Sequence, residues 1–218
     1  MMQSPLVKAT YLCGKYSDHE SIVDSFVHHL LHRLGFNDDW LYAFPQLSLP
    51  LRYGTTSTTV AKADFAILHV LSFYRMAVVE DKRVGSDTVN SEPQLIAEAI
   101  AMSQANKVES RKRIRSASGE SSISKSGHSS SSGHSSPSSS TGSAALDDTL
   151  FGVRVNGLKF YFYSIPVSDA VLTAMSNSRT STAPTIVYRL MNKNAVCLDW
   201  AVKEQRAIII EVLDAVRS

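Results

Sequence analysis

The sequence of 218 residues lacks the features that mark secreted, disulfide-rich or membrane proteins. Its two cysteines, Cys13 and Cys197, lie far apart and fit no metal-ligand spacing, so we expect buried free thiols in a reducing compartment. No run of eighteen apolar residues occurs, and residues 1–16 lack the basic start and apolar core of a signal peptide. These absences predict an intracellular chain without a membrane partner.

A charge excess of either sign is also missing, because 22 basic residues nearly balance 20 acidic ones. The net charge therefore indicates no class of partner. Hydrophobic residues make up 44% and charged residues 19%, which is typical of a soluble globular domain with a substantial core. No predicted strand-helix-strand unit carries a glycine-rich nucleotide fingerprint, which argues against a Rossmann enzyme. The function must be sought in local patterns.

The most unusual local pattern lies in residues 76–83, where an apolar run becomes acidic and then basic. Val78 and Val79 suit a strand that is covered on both faces. Because side chains alternate along a strand, Glu80 and Lys82 should share one face. A carboxylate and an ammonium at the end of a buried strand are costly unless each is paired or binds an ion. The pattern indicates either a Glu80–Lys82 salt bridge or a functional site.

A second acidic residue, Asp64, lies near the start of the preceding predicted strand, residues 61–71. The two strands predict an antiparallel hairpin, and a three-residue connection would place Asp64 opposite Lys82. Opposite side chains are about 5 Å apart, so this register would cluster Asp64, Glu80 and Lys82 on one face. A slip of one residue would turn Asp64 to the other face.

An amphipathic helix is predicted before these strands. Ser17 and Glu20 form a capping-box pattern, and apolar residues follow at helical spacing until Gly35. Glu20 lies above the apolar stripe and faces the body of the protein. It is either a capping carboxylate or an acid directed into a site.

Another helix is predicted at residues 91–102, where Ser91 and Gln94 repeat the capping pattern. Gln94 and Glu98 share one face of this helix, apart from its apolar residues. That polar face is either solvated or directed towards the site. Further elements are an edge strand at 47–53, a type I′ hairpin at Asn156-Gly157, a helix at 168–174, a strand at 185–190 and a closing helix at 203–216.

Residues 110–143 differ sharply in composition, since 17 of these 34 residues are serine and almost none is apolar. Such a segment cannot form a core that offsets its ordering entropy, so we expect a disordered Ser-rich insertion. It would span residues 109–147 and divide one domain into residues 1–108 and 148–218. The basic cluster of Arg111, Lys112, Arg113 and Arg115 is either a nuclear localisation signal, which would place the protein in the nucleus, or a nucleic-acid contact.

The order of these elements resembles the PD-(D/E)xK nuclease superfamily. Over residues 20–102, a helix with an acid precedes an edge strand, the Asp64 strand, the Glu80-x-Lys82 strand and the Gln94 helix. The resemblance implies an α/β, restriction-endonuclease-like fold, with a mixed central sheet flanked by helices. Ala63 occupies the place of the proline in the family's name. Residues 78–82, followed by residues 92–98, also resemble the nuclease-like modules of Crinkler-type effectors and related fungal proteins.

The resemblance implies a role for each of these polar residues. Asp64 and Glu80 match the metal-binding acids, Glu20 the acid of the first helix, Lys82 the catalytic lysine, and Gln94 a polar residue of the following helix. Carboxylate oxygens suit Mg²⁺ or Mn²⁺, and the implied reaction is hydrolysis of phosphodiester bonds in nucleic acid, with DNA as the expected substrate. The alternative is a catalytically inactive module of the same fold that binds nucleic acid or a protein partner.

Overall fold

The computed structural model describes residues 4–38, 40–69, 77–82, 91–119, 149–177, 186–190 and 197–217, with only the backbone for 77–82, 91, 114–115 and 117–119. Five helices and seven strands are present in these ranges. In chain order they are α1 (Pro5–Lys15), α2 (Glu20–Arg33), β1 (Leu41–Tyr53), β2 (Ser57–His69), β3 (Ala77–Lys82), α3 (Ser91–Gly119), β4 (Thr149–Asn156), β5 (Lys159–Pro166), α4 (Asp169–Ser176), β6 (Tyr188–Arg189), β7 (Leu198–Asp199) and α5 (Lys203–Arg217).

The strands form one mixed sheet in the order β1-β2-β3-β4-β5-β6, with β7 also paired to β5. Strand β2 is antiparallel to both β1 and β3, whereas β4 runs parallel to β3. A parallel neighbour requires a crossover connection, and α3 lies between β3 and β4 in the chain. The mixed sheet and its helices confirm the predicted α/β class.

Helices cover both faces of this sheet. On the face that we call the α2 face, α1, α2 and α5 pack on a cluster that includes Phe26, Leu30, Val153 and Ile209. On the opposite face, the α3 face, helices α3 and α4 pack on a second cluster built around residues such as Leu95. Each face of the sheet therefore has its own apolar core, and polar groups on the two faces lie beside different helices.

Several predicted elements are confirmed. The strands β2 and β3 are antiparallel, β1 is an edge strand, and α5 closes the chain. Ser168 caps α4 by accepting a hydrogen bond from the Val171 backbone N–H at 3.4 Å. The β4–β5 hairpin is also present, but Asn156 pairs with Lys159, so Gly157 and Leu158 form the loop. Gly157 has φ +60° whereas Asn156 does not have a positive φ, so the type I′ prediction is wrong and the pattern is that of a type II′ turn.

The start of α2 differs from the prediction. The helix begins at Glu20 with His19 at its N-cap, and no side chain makes a capping hydrogen bond there. The backbone N–H of His19 instead donates to the Tyr16 carbonyl at 3.1 Å, because the chain turns here after α1. The Ser17 capping box is therefore wrong, and α1 had not been predicted.

Helix α3 is much longer than the predicted 91–102 and continues to Gly119. The prediction of disorder is wrong for residues 109–119, while residues 120–148 lie outside the described ranges. Arginine, lysine and glutamate are good helix formers, and Lys112 makes an ion pair of 3.3 Å with Glu109 one turn earlier. The basic cluster thus lies on a helix.

The alternation of side chains reverses in the middle of the β1–β2 pair. Ala43 packs in the α2-face cluster, whereas Leu47, four residues later, packs in the α3-face cluster. Phe65 and Ala63 on β2 likewise belong to opposite clusters although they are two residues apart. Regular strands keep such residues on one face. The reversal coincides with Gln46, whose φ is +54°.

The hairpin register also differs from the prediction. Phe65 pairs with Val79 and Ala66 with Val78. The three-residue connection that placed Asp64 opposite Lys82 is incompatible with these pairs, because hairpin register is set by the connection. The predicted register is therefore wrong by two residues, and its extension brings position 80, rather than 82, opposite Asp64.

Candidate active site

A cavity of about 330 Å³ lies between α2 and the β1–β2 pair. We call it the α2 cavity. Three of the residues around it are acidic, two are histidines and one is a lysine. Its lining consists of Glu20, Asp24, Ser25, His28, His29, Pro45, Gln46, Lys62, Asp64 and Phe65. The α2 cavity thus combines carboxylates with imidazole and ammonium groups.

The helical repeat explains why α2 supplies so many polar groups to this cavity. Glu20, Asp24 and His28 are four residues apart and therefore lie along one stripe of the helix. A neighbouring stripe, with Phe26 and Leu30, is buried in the α2-face core and fixes the rotation of the helix. The polar stripe is consequently held against the middle of β1 and β2.

Asp64 is the acidic residue with the most unusual environment. Its Oδ2 atom has less than 1 Å² of exposed surface and no hydrogen-bond partner among the described residues. Its neighbours in sequence, Ala63 and Phe65, are both buried, and they pack on opposite faces where the alternation reverses. A buried carboxylate oxygen without a partner is costly. Its environment is therefore suited to a cation.

The backbone of β3 places Glu80 beside Arg154 and Lys82 beside Asn156, while their side chains lie outside the described part of the structure. Extension of the observed β2–β3 register brings the backbone of position 80 opposite Asp64, which lines the α2 cavity. The predicted shared face of Asp64, Glu80 and Lys82 concerns side chains outside the described part of the structure, so it stays a prediction.

On the α3 face, charged side chains form a compact network that we call the Arg154 cluster, comprising Glu92, Arg154, Tyr163 and Arg189. The Tyr163 hydroxyl donates to Glu92 Oε1 at 2.9 Å, and Arg189 forms an ion pair with the same carboxylate. Arg154 is 4% exposed, with Nη1 4.0 Å from Glu92 Oε1 and its guanidinium 4.0 Å above the Tyr161 ring. Glu92 is thus paired with a hydroxyl and with positive charges, which is typical of a structural network.

Gln94 and Glu98 lie on the same side of the sheet. Gln94 Nε2 donates to Glu98 Oε1 at 3.0 Å, and Glu98 is only 1% exposed. The alternative of a solvated polar face is therefore wrong. Because α3 and α2 cover opposite faces, the structure brings Glu20 and Asp64 together but not Gln94 with them.

The described residues fit a magnesium site in part. No three His, Cys, Asp or Glu side chains within the described ranges are grouped so that they could hold an ion. Mg²⁺, however, commonly uses one or two carboxylates together with water and substrate phosphate. The buried Asp64 oxygen and the Glu20 carboxylate on the same cavity are compatible with that mode.

Sequence patterns missed several residues of these two sites. Asp24 and His28 could have been found from their spacing to Glu20, and Lys62 from its position two residues before Asp64 on the same strand. The Arg154 cluster had no local signal, because Tyr163 and Glu92 are 71 residues apart and Tyr163 and Arg189 are 26 apart.

Comparisons of this chain with protein-family models, with curated proteins and with solved structures gave no match. Among the described helices, none is both long and apolar enough to cross a membrane. The function is therefore inferred from the two sites and from the order of the elements.

Proposed function

We propose that this chain is a metal-dependent nuclease that hydrolyses phosphodiester bonds in nucleic acid, with DNA as the substrate. The observation that carries the proposal is the Asp64 carboxylate, which borders the same cavity as Glu20 and has a buried oxygen without a partner among the described residues. A cation at this oxygen would offset the cost of burying it. Metal-dependent hydrolysis is the reaction that such an arrangement supports best.

The order of the elements gives independent support. Helix α2, the three antiparallel strands β1 to β3, helix α3 and the parallel strand β4 follow one another along the chain. This is the succession on which the resemblance to the PD-(D/E)xK nucleases rests. We therefore assign the chain a restriction-endonuclease-like fold as part of the same proposal.

Asp64, Glu20 and Glu80 are the residues that would hold Mg²⁺ or Mn²⁺. When bound, such an ion supplies a Lewis acid and lowers the pKa of a coordinated water. Asp64 binds through an oxygen that is removed from bulk water, where electrostatic attraction is less screened. Glu20 lies at the first turn of α2, across the cavity from β2.

Lys82 orients the attacking water and offsets the negative charge that develops on the phosphoryl group. Lys62 brings an ammonium group to the α2 cavity. Gln94 is a positioning residue, because it lies on the α3 face and binds the buried Glu98. Its role is to fix α3 against the sheet beside β3.

A catalytically inactive module of the same fold is the second candidate. The exposed residues Arg111, Lys112 and Arg113 on α3 favour it, because basic residues bind nucleic-acid phosphates without any metal. The exposure of this cluster is also the basis for proposing a nuclear location, since a localisation signal must be accessible to its receptor.

A cleavage assay separates the two candidates. Wild type and the variants Asp64→Asn, Glu20→Gln and Lys82→Ala are incubated with labelled DNA or RNA in Mg²⁺, Mn²⁺ or EDTA. The exposed Asp18, outside the α2 cavity, provides the matched control Asp18→Asn. We expect DNA cleavage only with metal, reduced on the order of 100-fold or more by the three site variants and unchanged by the control.

Nucleic acid bound without cleavage by the wild type would support the inactive module. Full cleavage by Asp64→Asn and Lys82→Ala would contradict the site assignment.

A further inference from the structure

A second cavity, of about 410 Å³, lies where the end of β1 meets α3 and α4. Three basic residues line it: Arg52 on β1 and Lys107 and Arg111 on α3. The hydroxyl of Thr173 and the amide of Asn177 complete its polar wall on the α4 side. We call these five residues the basic groove. Such side chains are the ones that usually contact phosphate groups.

Positive charge exceeds negative charge among the described residues that line the basic groove. The one carboxylate among them, Asp169 at the start of α4, forms an ion pair with Lys107. Within the described part of the chain, neither Arg52 nor Arg111 has a carboxylate within 4.0 Å. The described lining thus has two guanidinium groups in excess of its carboxylate. Arginine binds phosphate through two parallel hydrogen bonds, so an anionic ligand with phosphate oxygens fits this cavity well.

The walls of the groove are held in place by hydrogen bonds. The Gln104 side chain accepts from the Arg52 backbone N–H at 2.9 Å and donates to the Arg52 carbonyl at 2.8 Å. The Gly54 N–H donates to the Met175 carbonyl at 2.6 Å, which ties the β1–β2 turn to α4. The Arg52 backbone is therefore fixed against α3 before any ligand binds, and this reduces the entropy cost of binding.

Strand β1 connects the basic groove to the α2 cavity. Gln46 borders the cavity and Arg52 borders the groove, and six residues of extended strand span about 20 Å. Successive phosphates of one B-DNA strand are about 3.4 Å apart along the helix axis, so about six nucleotides cover that distance. Because β1 is an edge strand, a nucleic-acid backbone can run along it and reach both places.

We propose that the basic groove binds the phosphate backbone of the nucleic acid whose cleavage is assigned to the α2 cavity. The inference rests on the proposed function for the identity of the ligand. Arg52 and Arg111 hold phosphates about six nucleotides from the cleavage position, and Gln104 positions Arg52. The groove contributes to substrate affinity and not to the chemical step.

Binding measured without metal tests this assignment apart from cleavage. A fluorescent 20-nucleotide DNA is titrated in EDTA at several salt concentrations with wild type and with the double variant Arg52→Gln/Arg111→Gln. Each lost phosphate contact should reduce the slope of log affinity against log salt by roughly one, so we expect a slope smaller by about two and an affinity lower by about tenfold or more at 0.1 M salt.

The matched control is Lys8→Gln/Lys203→Gln, which removes the same charge from exposed positions on α1 and α5. We expect a much smaller loss of affinity in this control. Thermal unfolding of each variant shows whether it is folded. Gln104→Leu should weaken binding less than the double variant does, because it removes only the positioning of Arg52.

Equal losses in the groove variant and the control would overturn the proposal, because only net charge would then matter. Failure of the wild type to bind the DNA would overturn it as well. Stronger groove-dependent binding to phosphatidylserine vesicles than to DNA would assign the groove to a membrane surface and contradict a nucleic-acid ligand. Groove-dependent DNA binding in a chain that never cleaves would uphold the groove and refute the nuclease, so the two failures are distinguishable.

Discussion

The two faces of the sheet differ in how Glu92 and Asp64 are paired. On the α3 face, Glu92 is surrounded by Arg189, the Tyr163 hydroxyl and the buried Arg154. On the α2 face, Asp64 has a buried carboxylate oxygen with no hydrogen-bond partner among the described residues. Paired polar groups stabilise a fold, whereas an unsatisfied buried carboxylate is a stability cost that a ligand can remove. The difference supports the proposal that the α2 cavity is the functional site and that Glu92 belongs to a structural network.

Arg154→Ala should cause the largest change in the free energy of unfolding. This change leaves Glu92 without one of its positive neighbours and removes the guanidinium from the Tyr161 ring. Because Glu92 is 40% exposed, the lost pairing and the lost contact with the Tyr161 ring together should cost about 3 kcal/mol. Chemical denaturation should show a loss of that size, and Tyr163→Phe, which keeps all charges, should lose less. A loss below about 1 kcal/mol for Arg154→Ala would show that the cluster does not stabilise the α3 face.

Gln94→Leu should cause the next largest loss in the free energy of unfolding. It removes the hydrogen bond to Glu98, a carboxylate that is 1% exposed, at a cost of about 1–3 kcal/mol. Denaturation and single-turnover cleavage can be measured on the same sample. We expect the loss in stability with the cleavage rate per folded molecule reduced only modestly. A cleavage rate as low as that of Asp64→Asn would place Gln94 in the catalytic site and break the distinction between the faces.

Asp64→Asn should raise the free energy of unfolding, whereas the two changes on the α3 face should lower it. In EDTA, an uncharged amide is less costly to bury than an unpaired carboxylate, so we expect the free energy of unfolding to rise by about 1 kcal/mol. Chemical denaturation without metal measures this change. A clear loss of stability would mean that Asp64 is a structural residue like those of the Arg154 cluster.

The smallest expected change in stability is that of Gln46→Gly, at the position where the alternation of side chains reverses. Its φ of +54° is unfavourable for a residue with a side chain, so Gln46→Gly should leave stability unchanged or raise it by up to about 1 kcal/mol. Gln46→Val should be destabilising, because a β-branched residue resists this conformation. If both variants were equally stable, the left-handed backbone would not be what holds Asp64 on the cavity.

Regular elements with strong periodic patterns could be predicted from the sequence. The closing helix α5 and the β4–β5 hairpin both depend on apolar spacing and turn residues within a few positions. The position of Glu20 on the α2 cavity could be predicted for the same reason. The helical repeat alone fixes where Glu20 lies relative to the apolar stripe of α2.

Features that depend on distant contacts could not be predicted. The register that placed Asp64 opposite Lys82 rested on an assumed three-residue connection, and the observed pairs differ from it by two residues. The reversal of alternation between Ala63 and Phe65 coincides with the left-handed backbone of Gln46 on the neighbouring strand, which no local pattern indicates. The helical continuation of α3 was hidden by the serine content of residues 110–143, although its first residues, such as Arg111 and Lys112, favour helix. Arg154 gave no signal, because its partners are brought to it only by the folded sheet.

A calorimetric titration of Mn²⁺ into the metal-free protein measures whether the Asp64 oxygen is a metal ligand. Wild type and Asp64→Asn are titrated side by side, with Asp18→Asn as the control for a lost surface carboxylate. We expect saturable binding to wild type and to the control, and binding weakened by about 10- to 100-fold or more in Asp64→Asn. Equal affinity in all three proteins, or no binding to the wild type, would contradict this expectation.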